Sequence, residues 1–132
     1  MRNLSHLTAK NCLCELIKIE TLDDGSFKKA PLFDSPRLAW NFEWDNAPPD
    51  QRRDISPQGA LFADVLFTYN NKGSQGVFLR ALAFNRHFRE FIRLNNSYRV
   101  TIRLSADNRK SQELCLKFVF SKTWDSFEVA VE

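Results

Sequence analysis

Between Tyr98 and Ala106 the side chains alternate without a break. Tyr98, Val100, Ile102, Leu104 and Ala106 fall on one face, and Arg99, Thr101, Arg103 and Ser105 on the other. Successive residues of a strand point to opposite sides of the sheet, so this segment describes a sheet that is dry on one side and wet on the other. Such a sheet is antiparallel, because parallel sheets are covered on both faces and their strands read as unbroken apolar runs.

The same period recurs along the chain. Ala9 to Glu20 reads as a central strand with Leu13, Ile17 and Ile19 on one face and Cys12, Cys14 and Leu16 on the other. Thr21-Leu22-Asp23-Asp24-Gly25-Ser26 is a turn, since Asp-Gly favours positive φ. Phe27 to Arg37 holds Pro31 and Pro36 and fits an irregular connection or a weak edge strand. Strands follow at Leu38 to Trp44, at Ala60 to Tyr69 and at Val77 to Phe84. Beyond Ser97 to Ala106 they continue at Leu114 to Phe120 and Phe127 to Val131. In the stretch 84–94, Phe84, Phe88, Phe91 and Ile92 have helical spacing, and one short helical turn near 85–93 is expected. About seven to eight strands set apart by Asn, Asp, Gly, Pro and Ser clusters predict an all-β, antiparallel sandwich.

With 132 residues, 43% of them hydrophobic, the chain can bury a core as a single domain over 1–132 without disulfide staples. Strand-like sequence begins almost at once, as in a domain excised from a longer protein. No apolar run reaches the ~18 residues of a membrane helix, so no membrane insertion is expected within this segment. The three cysteines, with no apolar leader at Met1 to His6, read as reduced thiols of a cytoplasmic protein.

Four motif groups place the chain beside a known family. They are Arg2-Asn3-Leu4 with Ala9-Lys10-Asn11-Cys12, Leu38-Ala39-Trp40, Pro57-Gln58-Gly59 with Asp64-Val65-Leu66, and Tyr98-Arg99-Val100-Thr101. In order and spacing these resemble the immunoglobulin-like β-sandwich accessory domain of uncharacterised bacterial proteins. Two positions depart from that pattern: Asn96-Ser97 stands where a glycine is usual, and the leading strand is short. The resemblance implies a sandwich and carries no activity with it.

Chemistry is sparse. Cys12 and Cys14 share a strand face and could approach one metal, but tetrahedral zinc needs about four ligands, and Cys115, His6 and His87 are scattered. Burial as small apolar groups is the better reading. His87 has no nucleophile context, and Asp23-Asp24 sits in a turn. No glycine-rich phosphate loop exists. No catalytic, metal or cofactor site is expected.

The stretch from Arg80 to Lys110 carries eight cations against Glu90 and Asp107, a balance of six (eight minus two), with Phe84, Phe88, Phe91 and Tyr98 interleaved. Arginine with aromatic rings can grip single-stranded nucleic acid, yet it is also common at protein interfaces. The net charge of +3 demands no polyanion. Trp40 and Trp44 could stack on sugar, though a row with Leu38 and Phe42 fits a core.

The expected function is therefore a non-catalytic accessory or protein-interaction module. Its partner is another protein or another domain of the parent chain, and its contact surface is Arg86, Arg89, Arg93, Arg99 and Arg103. Nucleic-acid binding through 80–110 is the alternative, followed by carbohydrate binding.

Overall fold

The computed structural model describes residues 1–29, 37–38, 40, 52–71, 74–79, 95–123 and 126–132, with backbone alone for 66–71 and 74–79. Eight strands run in order: β1 (Ala9–Asp23), β2 (Ser26–Lys29), β3 (Arg53–Ile55), β4 (Leu66–Asn71), β5 (Ser74–Leu79), β6 (Asn96–Ala106), β7 (Arg109–Phe120) and β8 (Phe127–Val131). Six of them form one antiparallel sheet in the order β2-β1-β6-β7-β8, with β3 paired to β1 off that path. Strands β4 and β5 form a separate antiparallel hairpin. No helix occurs among the described residues, and none there is long and apolar enough to cross a membrane. The helical turn expected near 85–93 lies outside the described residues.

The alternation in β6 is the organising element. Tyr98, Val100, Ile102 and Ala106 are buried, while the intervening residues are partly exposed. Across the ladder Tyr98 meets Phe118, and Val100 meets Ile19 and Leu116. The inward row from β1 is Cys12, Cys14, Leu16 and Ile19, all fully buried. Leu38, Trp40 and Ile55 cover these rows, with Leu61, Ala63 and Val65 packed alongside. Each large side chain removed from water in this way contributes ~1.5–3 kcal/mol. Tyr98 and Phe120 also meet edge to face, with ring centroids 6.0 Å apart, the arrangement that aromatic quadrupoles favour.

Simple alternation fails between Leu16 and Lys18 of β1. Leu16 pairs with Ile102 but Lys18 pairs with Thr101, so Ile17 is an extra residue in a β-bulge. One extra residue reverses every later side chain. Ile19 therefore joins Cys12, Cys14 and Leu16 in the core, correcting the expected grouping of Leu13, Ile17 and Ile19.

Two further expectations are revised. The strand expected at Ala60 to Tyr69 begins its ladder only at Leu66, because Ala60 and Ala63 make isolated bridges to Arg2 and Trp40. The strand expected at Val77 to Phe84 starts earlier, at Ser74. Of Leu38 to Trp44, the described residues Leu38 and Trp40 are both fully buried, Leu38 by way of a bond from its N–H to the Cys14 carbonyl.

The turn expected over Thr21 to Ser26 is tighter than that, because β1 continues to Asp23 and β2 begins at Ser26. Asp24 and Gly25 both have positive φ (49° and 77°) between the paired residues Asp23 and Ser26, the geometry of a two-residue hairpin turn. Asn11 (φ 52°) sits in a second bulge, where Ala9 pairs with Ile55 and Cys12 with Arg53. Asparagine tolerates this left-handed backbone. Its amide donates to Asp107 at 2.6 Å and its N–H to Asp54 at 2.9 Å, which ties the bulge to the β6–β7 turn and to β3.

Candidate functional site

The outward face of the sheet carries the two described members of the expected contact surface. Arg99 and Arg103 are four residues apart on β6 and point away from the core. Their cross-strand neighbours decide what they can do. Arg103 lies between Glu15 of β1 and Glu113 of β7, and its guanidinium donates to Glu113 at 2.9 and 3.2 Å. Arg99 lies between Glu20 and Lys117 and reaches Glu132, with Nε donating at 2.5 Å and Nη2 at 3.2 Å. The Arg99 guanidinium carbon also stands 3.9 Å from the centre of the Phe27 ring.

Both cations are thus held by partners within the chain. Lys18, Lys29, Arg99, Arg103 and Lys117 share this face with Glu15, Glu20, Glu113, Glu128 and Glu132, so the cations stand among carboxylates. A phosphate chain would have to displace carboxylates, which is the reverse of the uncompensated basic surface that gives nucleic-acid affinity. Arg86, Arg89 and Arg93 lie outside the described residues, so the five arginines are not brought together as one described surface.

Between these pairs the face dips into a shallow, open depression of about 500 Å³ over Ile17, Thr101 and Cys115. The Cys115 sulfur lies 3.8 Å from Glu132 Oε2. That carboxylate is a poor base, because the hydrogen bond from Arg99 holds its pKa below the usual carboxylate range. Asp54 is also held low, by the Asn11 N–H and by Lys10. Groups with depressed folded pKa contribute stability that is complete above their unfolded value and is lost as the pH falls through the folded value. The thermal midpoint should therefore stay level from neutrality down to about pH 5 and drop below about pH 4. Glu132→Gln should make that acid-side drop shallower, and an acid limb identical to the wild type would rule out a contribution from the Arg99–Glu132 pair.

Cys12 and Cys14 do share a face, but it is the inward one, and both are fully buried. Cys12 Sγ donates to the Ala9 carbonyl at 3.5 Å. Burial pushes the Cys14 thiol up to about 11, so the thiolate that a metal needs is disfavoured. Cys115 is on the opposite side of the sheet. Among the described residues, no three His, Cys, Asp or Glu side chains converge on a point that could hold a metal. Trp40 offers no platform for sugar because it is fully buried. Trp44 and His87 lie outside the described residues. Asp23, half of the paired carboxylates, is ion-paired with Lys28 at 2.7 Å.

The feature that sequence reasoning missed is the place of the expected strand at Phe127 to Val131 on the outside of the sheet. Strand β8 pairs with β7 alone among the described residues, yet Phe127, Val129 and Val131 continue the inward apolar row. Phe127 stacks on Phe120, with centroids 5.4 Å apart. Val129 and Val131 are 51% and 67% exposed. Apolar alternation at 127–131 marks a strand, but only the strand order shows that it ends the sheet.

Comparison with protein-family models, with curated proteins and with solved structures gives no match to this chain.

Proposed function

We propose that the chain is a non-catalytic protein-interaction module of the accessory type, and that β8 is its contact element. The immunoglobulin-like sandwich belongs to the same reading. In it the six-stranded sheet forms one layer, and the segments carrying Leu38, Trp40, Leu61, Ala63 and Val65, with the β4–β5 hairpin, contribute to the other. One-sided burial of the sheet supports this architecture. The free thiols support a cytoplasmic setting.

One observation carries the functional reading: the sheet ends on an apolar strand with nothing described beyond it. An unpaired edge presents a row of N–H and C=O groups ready for another strand. Backbone hydrogen bonds then supply affinity, and alternate side chains supply selectivity. The opposite edge, β2, carries Lys28 and Lys29, the kind of charge that deters such pairing. Strand β8 has neither lysine nor proline.

A photo-reactive benzoylphenylalanine placed at position 129 should yield a discrete cross-linked product in cells. The same group at position 113, on the outward face, should not. Absence of any product from 129, or equal products from both positions, would end this reading.

A further inference from the structure

We infer that the strand received by β8 is β8 of a second copy of this chain, paired antiparallel about a two-fold axis through Val129. The inference rests on the interaction-module reading above and adds the identity of the partner. It follows from which backbone groups are free. Ser121 donates its N–H to the Ser126 carbonyl, and Glu132 donates its N–H to the Cys115 carbonyl. With Val119 opposite Glu128 and Lys117 opposite Ala130, the even-numbered residues of this strand bond to β7. In an antiparallel ladder the alternate residues then turn their N–H and C=O groups the other way. Among the described residues, the groups left facing away from β7 with no partner are those of Phe127, Val129 and Val131, the same residues that carry the apolar side chains.

A two-fold through Val129 sets Val129 against its own copy, and Phe127 against Val131. All three pairs join residues with free backbone groups, so each pair exchanges two hydrogen bonds. Apolar groups then meet apolar groups along one face. Glu128 falls opposite Ala130, so no like charges meet. The two neighbouring two-fold registers that match free groups are both worse. One opposes Glu128 to Glu128, the other opposes Glu128 to Glu132, and each leaves an end residue unpaired. The perpendicular axis also keeps both inward faces on the same side, so the exposed valines of the two copies form one continuous row. Pairing β8 with β2 of another copy would instead set the valines against Ser26 and Lys28, which share the inward side with Thr21 and Asp23.

Sedimentation equilibrium over ~5–500 µM should show a closed monomer–dimer equilibrium, since mass action makes the dimer concentration-dependent. Val129→Lys and Val129→Glu each place like charges opposite one another, and each alone should weaken the dimer at least ~10-fold. Mixing the two should restore it, because the two-fold then sets lysine against glutamate. Val129→Pro is the second variant: it removes a backbone donor that faces away from β7, so the dimer should be lost while the circular-dichroism spectrum is kept.

A wild type that stays monomeric throughout, an open-ended series of oligomers, or a lysine–glutamate mixture that stays monomeric would overturn the dimer. The cross-linking product from position 129 separates the two levels of the proposal. An adduct with a different protein would overturn only the self-pairing, and no adduct at all would remove the contact role of β8 as well.

Discussion

Replacing Leu16 by alanine is expected to lower stability by ~2–5 kcal/mol, whereas Ile17→Ala, one residue along, should cost less than ~1 kcal/mol. Both residues are large and aliphatic, and they differ in which face of the sheet they take. Leu16 is fully buried opposite Ile102, and truncation there removes transfer energy and leaves a cavity. Ile17 lies over the outward depression, where a truncated side chain is replaced by water. Ile19→Ala should behave like Leu16→Ala, because the reversal returns it to the core. Chemical denaturation of the three variants measures this directly. Equal losses at 16 and 17 would mean that the outward face is packed as tightly as the inward one, and a harmless change at 19 would mean that β1 runs without the extra residue.

The second large effect is expected at Asn3. This buried side chain binds the N-terminal segment to the end of β3. Its amide donates to the carbonyls of Leu7 (2.7 Å), Ile55 (3.0 Å) and Ser56 (3.2 Å), and its oxygen accepts from the Ser5 N–H at 3.1 Å. Asn3→Ala removes all of these bonds at a buried site; the Leu7 carbonyl keeps Ser5 Oγ and Arg109 and the Ser56 carbonyl keeps the Gly59 N–H, so the loss falls mainly on the Ile55 carbonyl and the Ser5 N–H and should cost about 1–3 kcal/mol. Asn3→Asp should cost more at pH 7, because a carboxylate offers only acceptors to three carbonyls and would be a buried charge. The sign with pH follows. Burial raises the folded pKa of such an acid above its unfolded value, so the penalty is small below about pH 4 and grows as the pH rises through that point. A thermal midpoint for Asn3→Asp equal to that of Asn3→Ala at neutral pH would show that the amide donates nothing essential.

Much of the fold was legible because sheet faces write themselves at period two. Tyr98 to Ala106 named the wet and dry sides correctly, and Asp24-Gly25 named its turn. Asn3, Asn11 and Gly59, three positions within the quoted motifs, have local physical reasons. Asn3 satisfies buried carbonyls, and Asn11 takes a left-handed backbone in a bulge. Gly59 leaves no room for a larger residue, since a Cβ there would stand 3.0 Å from the Ser56 carbonyl oxygen.

What alternation cannot carry is adjacency. The bulge was hidden because Ile17 is itself apolar and gives no sign that it counts double. The charge on Arg99 and Arg103 was plain, but their carboxylate partners lie elsewhere in the chain, at Glu132 and Glu113, and only the register brings them together. The importance of Val129 and Val131 was hidden for the same reason, since an edge is a property of strand order and not of any one strand.

The extra residue in β1 also says something about length. A chain lacking Ile17 would run Leu16, Lys18, Ile19 in strict alternation, and every core residue would keep its place. The longest strand of the sheet therefore has, at Ile17, a position at which the polypeptide can shorten without a frame error. An insertion or deletion, ordinarily confined to loops, is admissible here in the middle of a ladder.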